Sequence, residues 1–193
     1  MIKAIRFGWL TLAIVSASAH AAVDKPFAFG PYVGASYTAV DDPDGSTERS
    51  AALSRIGVVS AYTLNRKTMV ESEVFYHSDS YSASRSDIGQ KVKGIGLAAQ
   101  YYRNLPLTRS FQPWVGAGLS LNNFKYSDRY TTESEGFLAQ RFEDRNSQEI
   151  DLLISVKLIT AEDRNVSYFY RVSYEYPLDT GIQGVLLNIG VLF

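Results

Sequence analysis

Between Val166 and Tyr176 every second residue is apolar or aromatic: Val166, Tyr168, Tyr170, Val172, Tyr174 and Tyr176. The residues between them are Ser167, Phe169, Arg171, Ser173 and Glu175. A period of two is the signature of a strand, because successive side chains point to opposite faces of the sheet. The same alternation recurs along the chain. Ile150, Leu152, Ile154, Val156 and Leu158 oppose Asp151, Leu153, Ser155 and Lys157, and Ile95, Leu97, Ala99 and Tyr101 oppose glycines, Ala98, Gln100 and Tyr102. Eight such segments are expected, at about 29–40, 50–62, 68–78, 90–103, 111–124, 147–159, 166–176 and 183–193. No helical period of useful length is present.

The connections alternate in length. Residues 63–67, 104–110 and 160–165 are short, whereas 41–49, 79–89 and 125–146 are longer and rich in Asp, Ser, Arg and Glu. The last, 177–182, is short and carries Pro and Gly, which suit a turn.

The first 21 residues read differently. Lys3 and Arg6 precede an apolar run and an Ala19-His20-Ala21 site, the pattern of a cleaved secretory signal. The run is too short for a membrane helix, which needs about 20 apolar residues. The expected division is therefore a signal peptide at 1–21 and one domain at 22–193. Loss of Lys3 and Arg6 would take the net charge from -1 to -3. So small a charge gives no bulk electrostatic case for nucleic acid. With no cysteine, the chain has neither a disulfide framework nor a thiolate metal site.

An exported chain with an even strand number and alternating short and long connections fits a transmembrane barrel. Each tilted span needs about 9–11 residues. Closure leaves no sheet edge, so every backbone polar group is satisfied within lipid. The mean hydropathy of -0.10 is ordinary, because only alternate residues would meet lipid. The expected fold class is all-β, an eight-stranded antiparallel transmembrane up-and-down β-barrel. The rival is a soluble periplasmic barrel with its apolar face inside. Against it stands the other face, rich in small residues with isolated charges, as suits a narrow lumen.

Leu187, Ile189, Val191 and a final Phe193 resemble the C-terminal signature of Gram-negative outer-membrane proteins. In that group the signature is read by the barrel-assembly machinery. "GPYVGASY" and "FQPWVGAGLS" resemble the small eight-stranded OmpX, opacity-protein and OmpA-barrel type. The resemblance implies periplasmic termini and short turns, loops outside, and a non-enzymatic surface or envelope-stability role. The loops would then be available for an extracellular ligand or host contact.

Alternation places Arg55, Glu71, Glu73, Asp151, Lys157, Arg171 and Glu175 in the lumen. An eight-stranded interior is just wide enough for side chains to fill, and buried charges must be paired. The expected pairs are Arg55 with Glu73 and Arg171 with Asp151. They would form a structural plug or, as an alternative, the gate of a narrow porin-like ion path.

His77, beside Ser78 and Asp79, raises a hydrolase alternative. PagL-type lipid A deacylases are eight-stranded outer-membrane barrels with a His/Ser/Glu site. Their H-x-S spacing is absent here, and adjacent strand residues point apart. No catalytic residue, cofactor or metal ligand is assigned.

Near the loop ends, Arg85, Lys91, Lys93, Lys125 and Arg129 could meet lipopolysaccharide phosphates. Lys91 and Lys93 share the lipid-facing parity of Ile95. The segment "GFLAQRF" could extend two strands as a hairpin above the membrane, offering Phe137, Leu138 and Phe142 to a partner.

Overall fold

The computed structural model describes residues 26–41, 48–81, 88–108, 111–132, 138–163, 166–179 and 182–193. The proposed signal segment, Arg85 and Phe137 lie outside these residues, and the Leu138 side chain is likewise not described. Among the described residues there are nine strands: β1 (Phe27–Asp41), β2 (Glu48–Asn65), β3 (Thr68–Tyr81), β4 (Ile88–Asn104), β5 (Trp114–Thr132), β6 (Leu138–Phe142), β7 (Arg145–Asp163), β8 (Val166–Pro177) and β9 (Gln183–Leu192). Eight of them form the barrel wall. Neighbours pair antiparallel, and the β1–β9 and β4–β5 pairings close the sheet on itself.

The expected segments underestimate the strands at the loop end. Backbone pairing outlasts the apolar pattern there, so β2, β4, β5 and β7 run on into polar sequence. The fifth strand begins at Trp114 rather than 111, since Pro113 cannot donate to a ladder. Short β6 lies above the wall and pairs with the extended end of β5, Arg129 opposite Phe142. The Arg129 guanidinium also stands over the Phe142 ring and donates to the Glu143 carbonyl.

Following the register from Tyr37 through β9, β8, β7, β5, β4, β3 and β2 returns to β1 at Phe27, ten residues lower. That stagger is the shear of the barrel and matches strands tilted by roughly 35–45°. Alternation then separates two surfaces. Val33, Ile56, Val74, Leu97, Leu119, Ile154, Val172 and Leu187 point outward and are each about half exposed. Aromatic side chains flank this belt: Phe27, Phe29, Tyr62 and Phe193 near the turn end, and Tyr37, Tyr76 and Tyr176 near the loop end. A belt of about 25 Å with aromatic girdles is how such a wall meets a bilayer.

The interior is packed by large side chains against glycines on neighbouring strands. A Cβ on Gly57 would lie 2.7 Å from the Tyr32 ring, and one on Gly116 would lie 2.5 Å from the Tyr102 ring. Buried apolar side chains cluster at both ends of the interior, and a third cluster around Tyr32, Phe75 and Phe169 lies between them. Ala61, Met69, Tyr102 and Trp114 form the one at the turn end, with Ile159 packed against it. Leu53, Val92, Phe124, Tyr126 and Ile182 form the one at the loop end.

Candidate functional site: the lumen and the loop-end rim

Between the two end clusters lie all seven charges assigned to the lumen: Arg55, Glu71, Glu73, Asp151, Lys157, Arg171 and Glu175. Each is at most 4% exposed. Their partners differ from the expected ones. Arg171, on β8, crosses the lumen to β3, donating from Nη1 and Nη2 to the two carboxylate oxygens of Glu73, 2.7 Å each. Its Nη1 is also 3.5 Å from Glu71. Asp151 is not its partner. Lys157 is the residue opposite Arg171 in register, and these two adjacent cations are matched by Glu71 and Glu73. Lys157 donates to Glu71, and its ammonium lies 4.1 Å from the Phe169 ring centroid.

Arg55 likewise pairs with Glu175 at 3.0 Å instead of Glu73. Glu73 faces Val59 across β2 and β3, four residues along the strand from Arg55. The Arg55 side chain instead lies 3.3 Å from the Phe75 ring centroid, and its Nε donates to Tyr32. Sequence spacing identifies neighbours along the wall, but closure with a stagger of ten residues decides which charges meet across it.

Polar residues outside the expected set complete the network. Gln100 donates to Glu73 at 2.9 Å and accepts from Tyr102 and Ser155. Ser155 also hydrogen-bonds Ser173. Asp151 accepts from Ser120 and Asn122. Glu149, nearer the loop end, accepts from the Ile182 backbone N–H at 2.9 Å and from Tyr126, tying the last connection across the barrel mouth. All these residues have inward parity, the one sequence signal that could have included them.

His77 faces inward, 1% exposed, between the rings of Phe75 and Phe124, with centroids 5.0 and 5.4 Å away. Neither ring nitrogen has a hydrogen-bond partner among the described residues. Ser78 lies on the opposite face. Among the described residues, no hydroxyl or carboxylate is hydrogen-bonded to the imidazole as a hydrolytic site requires.

Outside the barrel, Lys91 and Lys93 project from β4 above Ile95. Lys91 forms an ion pair with Asp128. Asp128 occupies the irregularity in β4–β5 pairing at φ 50°, a left-handed conformation that Asp tolerates better than most residues. The hydrogen bond from Lys91 holds the Asp128 carboxyl below its usual range, and the nearby charges of Arg141 and Lys93 act the same way. The same hydrogen bond raises Lys91. Lys93 stands directly opposite Lys125 in register. Lys125 is 3.4 Å from Asp144, both side chains more than half exposed. At the turn end, Phe193 donates its backbone N–H to Phe29 and packs near the Phe29 ring, joining the last residue to the first strand.

The family described as outer membrane protein beta-barrel domain matches residues 7–185. No curated protein matches. Solved structures that share the fold include the following two. Neisserial surface protein A has a TM-score of 0.58 at 19% identity, over 87% of this chain and 96% of the other. Ail, the attachment invasion locus protein of Yersinia pestis, has a TM-score of 0.52 at 10% identity, over 87% and 98%. The latter structure is a complex with the heparin analogue sucrose octasulfate.

Proposed function

We infer the function from the premise that this chain belongs to the outer membrane protein β-barrel domain family. It is a non-enzymatic outer-membrane barrel that serves as a surface or envelope-stability protein. The observation that carries this reading is the interior, where cross-barrel ion pairs lie between apolar clusters at the two ends and, among the described residues, no nucleophile and base are aligned. Such an interior supports a rigid plug better than a substrate cleft or an open path. Residues 1–21 act as the cleaved export signal, and 22–193 form the barrel. Leu187, Ile189, Val191 and Phe193 form the signal taken by the barrel-assembly machinery. The short turns and termini face the periplasm. The loops face outside, where an extracellular ligand meets them. Lys91 and Lys93 lie at the level of lipopolysaccharide phosphates.

The test is mass spectrometry of lipid A from matched cells with and without the protein, after a heat-shifted gel band establishes that the barrel is folded in the outer membrane. The same acyl pattern is expected in both. A lost acyl chain whose loss depends on His77 would make the protein an enzyme.

A further inference from the structure

Two lysines directly opposite each other on one sheet face repel, and nothing in the fold requires them there. Lys93 and Lys125 are such a pair. Both have outward parity. They stand one alternate step and two, respectively, above Ile95 and Leu121, which belong to the lipid-facing belt. Lys93 forms no ion pair among the described residues, and the Lys125–Asp144 contact is exposed and weak. On other strands, the described outward residues near this height include Ser54, Ser78, Gln148 and Gln183, all uncharged. Among the described outward wall residues near this height, the cations therefore lie on β4 and β5.

We propose that Lys93 and Lys125 form a discrete site for one phosphate of a lipid headgroup in the loop-side leaflet, whose acyl chains lie on the apolar face of β4 and β5. The proposal rests on the outer-membrane reading and narrows its lipid contact to a single sector and a different residue pair. Cross-strand neighbours have Cβ atoms roughly 4.5–5.5 Å apart, so two flexible ammonium arms can converge on one phosphate from adjacent positions. A phosphate held there places negative charge between the two ammonium groups and offsets their mutual repulsion. Continuity with the belt favours a lipid over a soluble polyanion, because Ile95, Leu97, Leu119 and Leu121 extend the site downward as an apolar track. Lys91 borders the site with its charge already held by Asp128, and contributes less.

The experiment compares thermal unfolding of the full barrel in plain detergent, in detergent with lipopolysaccharide, and in detergent with enzymatically dephosphorylated lipopolysaccharide. The proteins are the wild type, K93Q/K125Q and K91Q. The wild type gains Tm with the phosphorylated lipid. The double variant is at least as stable as wild type in plain detergent and loses more than half of that gain, whereas K91Q keeps most of it. The dephosphorylated lipid gives little gain to any of the three. If K93Q/K125Q keeps the wild-type gain, or K91Q loses as much as the pair, the site is wrong while general lipid contact stands. If wild type itself gains nothing, both readings fail. An equal gain from sucrose octasulfate, which has no acyl chains, would overturn the lipid assignment in favour of an aqueous sulfated ligand.

Discussion

Replacement of Arg171 by Met tests whether the lumen network holds the barrel together. The substitution keeps much of the side-chain volume and removes the fork that grips Glu73. Two charge-assisted hydrogen bonds of 2.7 Å are lost. At about 1.5–3 kcal/mol each, they bound the loss at roughly 3–6 kcal/mol. Breaking a buried ion pair by deleting one partner typically costs about 3–5 kcal/mol, because the remaining charge is stranded. Glu73 would retain the Gln100 amide and the Tyr32 hydroxyl as donors, neither of them charged. Glu71 would lose its 3.5 Å contact with Arg171 but keep Lys157. The two estimates agree, and the expected loss is about 3–5 kcal/mol. The assay is reversible urea unfolding in lipid vesicles, followed by tryptophan fluorescence and the heat-shifted gel band. Glu73→Gln and the double variant complete a cycle, in which a coupling of about 1–3 kcal/mol is expected for residues in one network. A loss below about 1 kcal/mol for Arg171→Met, a value typical of an exposed pair, would refute the claim that this ion pair supports the wall. So would additivity of the two single losses.

Three further outcomes follow from the same structure. Gly116→Val should destabilise by about 1–3 kcal/mol through overpacking, since even its Cβ meets the Tyr102 ring at 2.5 Å; added Tyr102→Ala should restore part of the loss in the same urea assay. The Asp128 carboxyl should titrate below the ordinary value of about 3.9 in a carbon-13 NMR titration, and K91Q should move its midpoint upward. Because its folded pKa is lowered, the Asp128 contribution is present above the unfolded carboxylate value and disappears as pH falls through the folded one; an unmoved midpoint in K91Q would contradict the assigned cause. In planar bilayers the wild-type barrel should show no stepwise conductance, because buried apolar side chains pack at both ends of the lumen; regular steps would favour the porin-like alternative.

The alternation of Val166 to Tyr176 and its counterparts determined the strands, the even strand number and the side on which each residue lies. Those are local properties, fixed by a two-residue period and by the need to satisfy every backbone group in lipid. The inward side of Arg171 and Glu73, and the outward side of Lys93, were thus legible from one sequence. Their partners were not. Arg171 is on β8 and Glu73 on β3, 98 residues apart, and no spacing rule links them. They meet because the closed wall is staggered by ten residues, which sets the height of every strand against the strand across the lumen. The same closure put Arg55 against Glu175, whereas the register of adjacent β4 and β5 set Lys93 opposite Lys125. The bulge at Asp128 also escaped the alternation, because a register shift belongs to a pair of strands and not to either sequence. Sequence alone chose a face for each side chain, and tertiary closure chose which charges share that face.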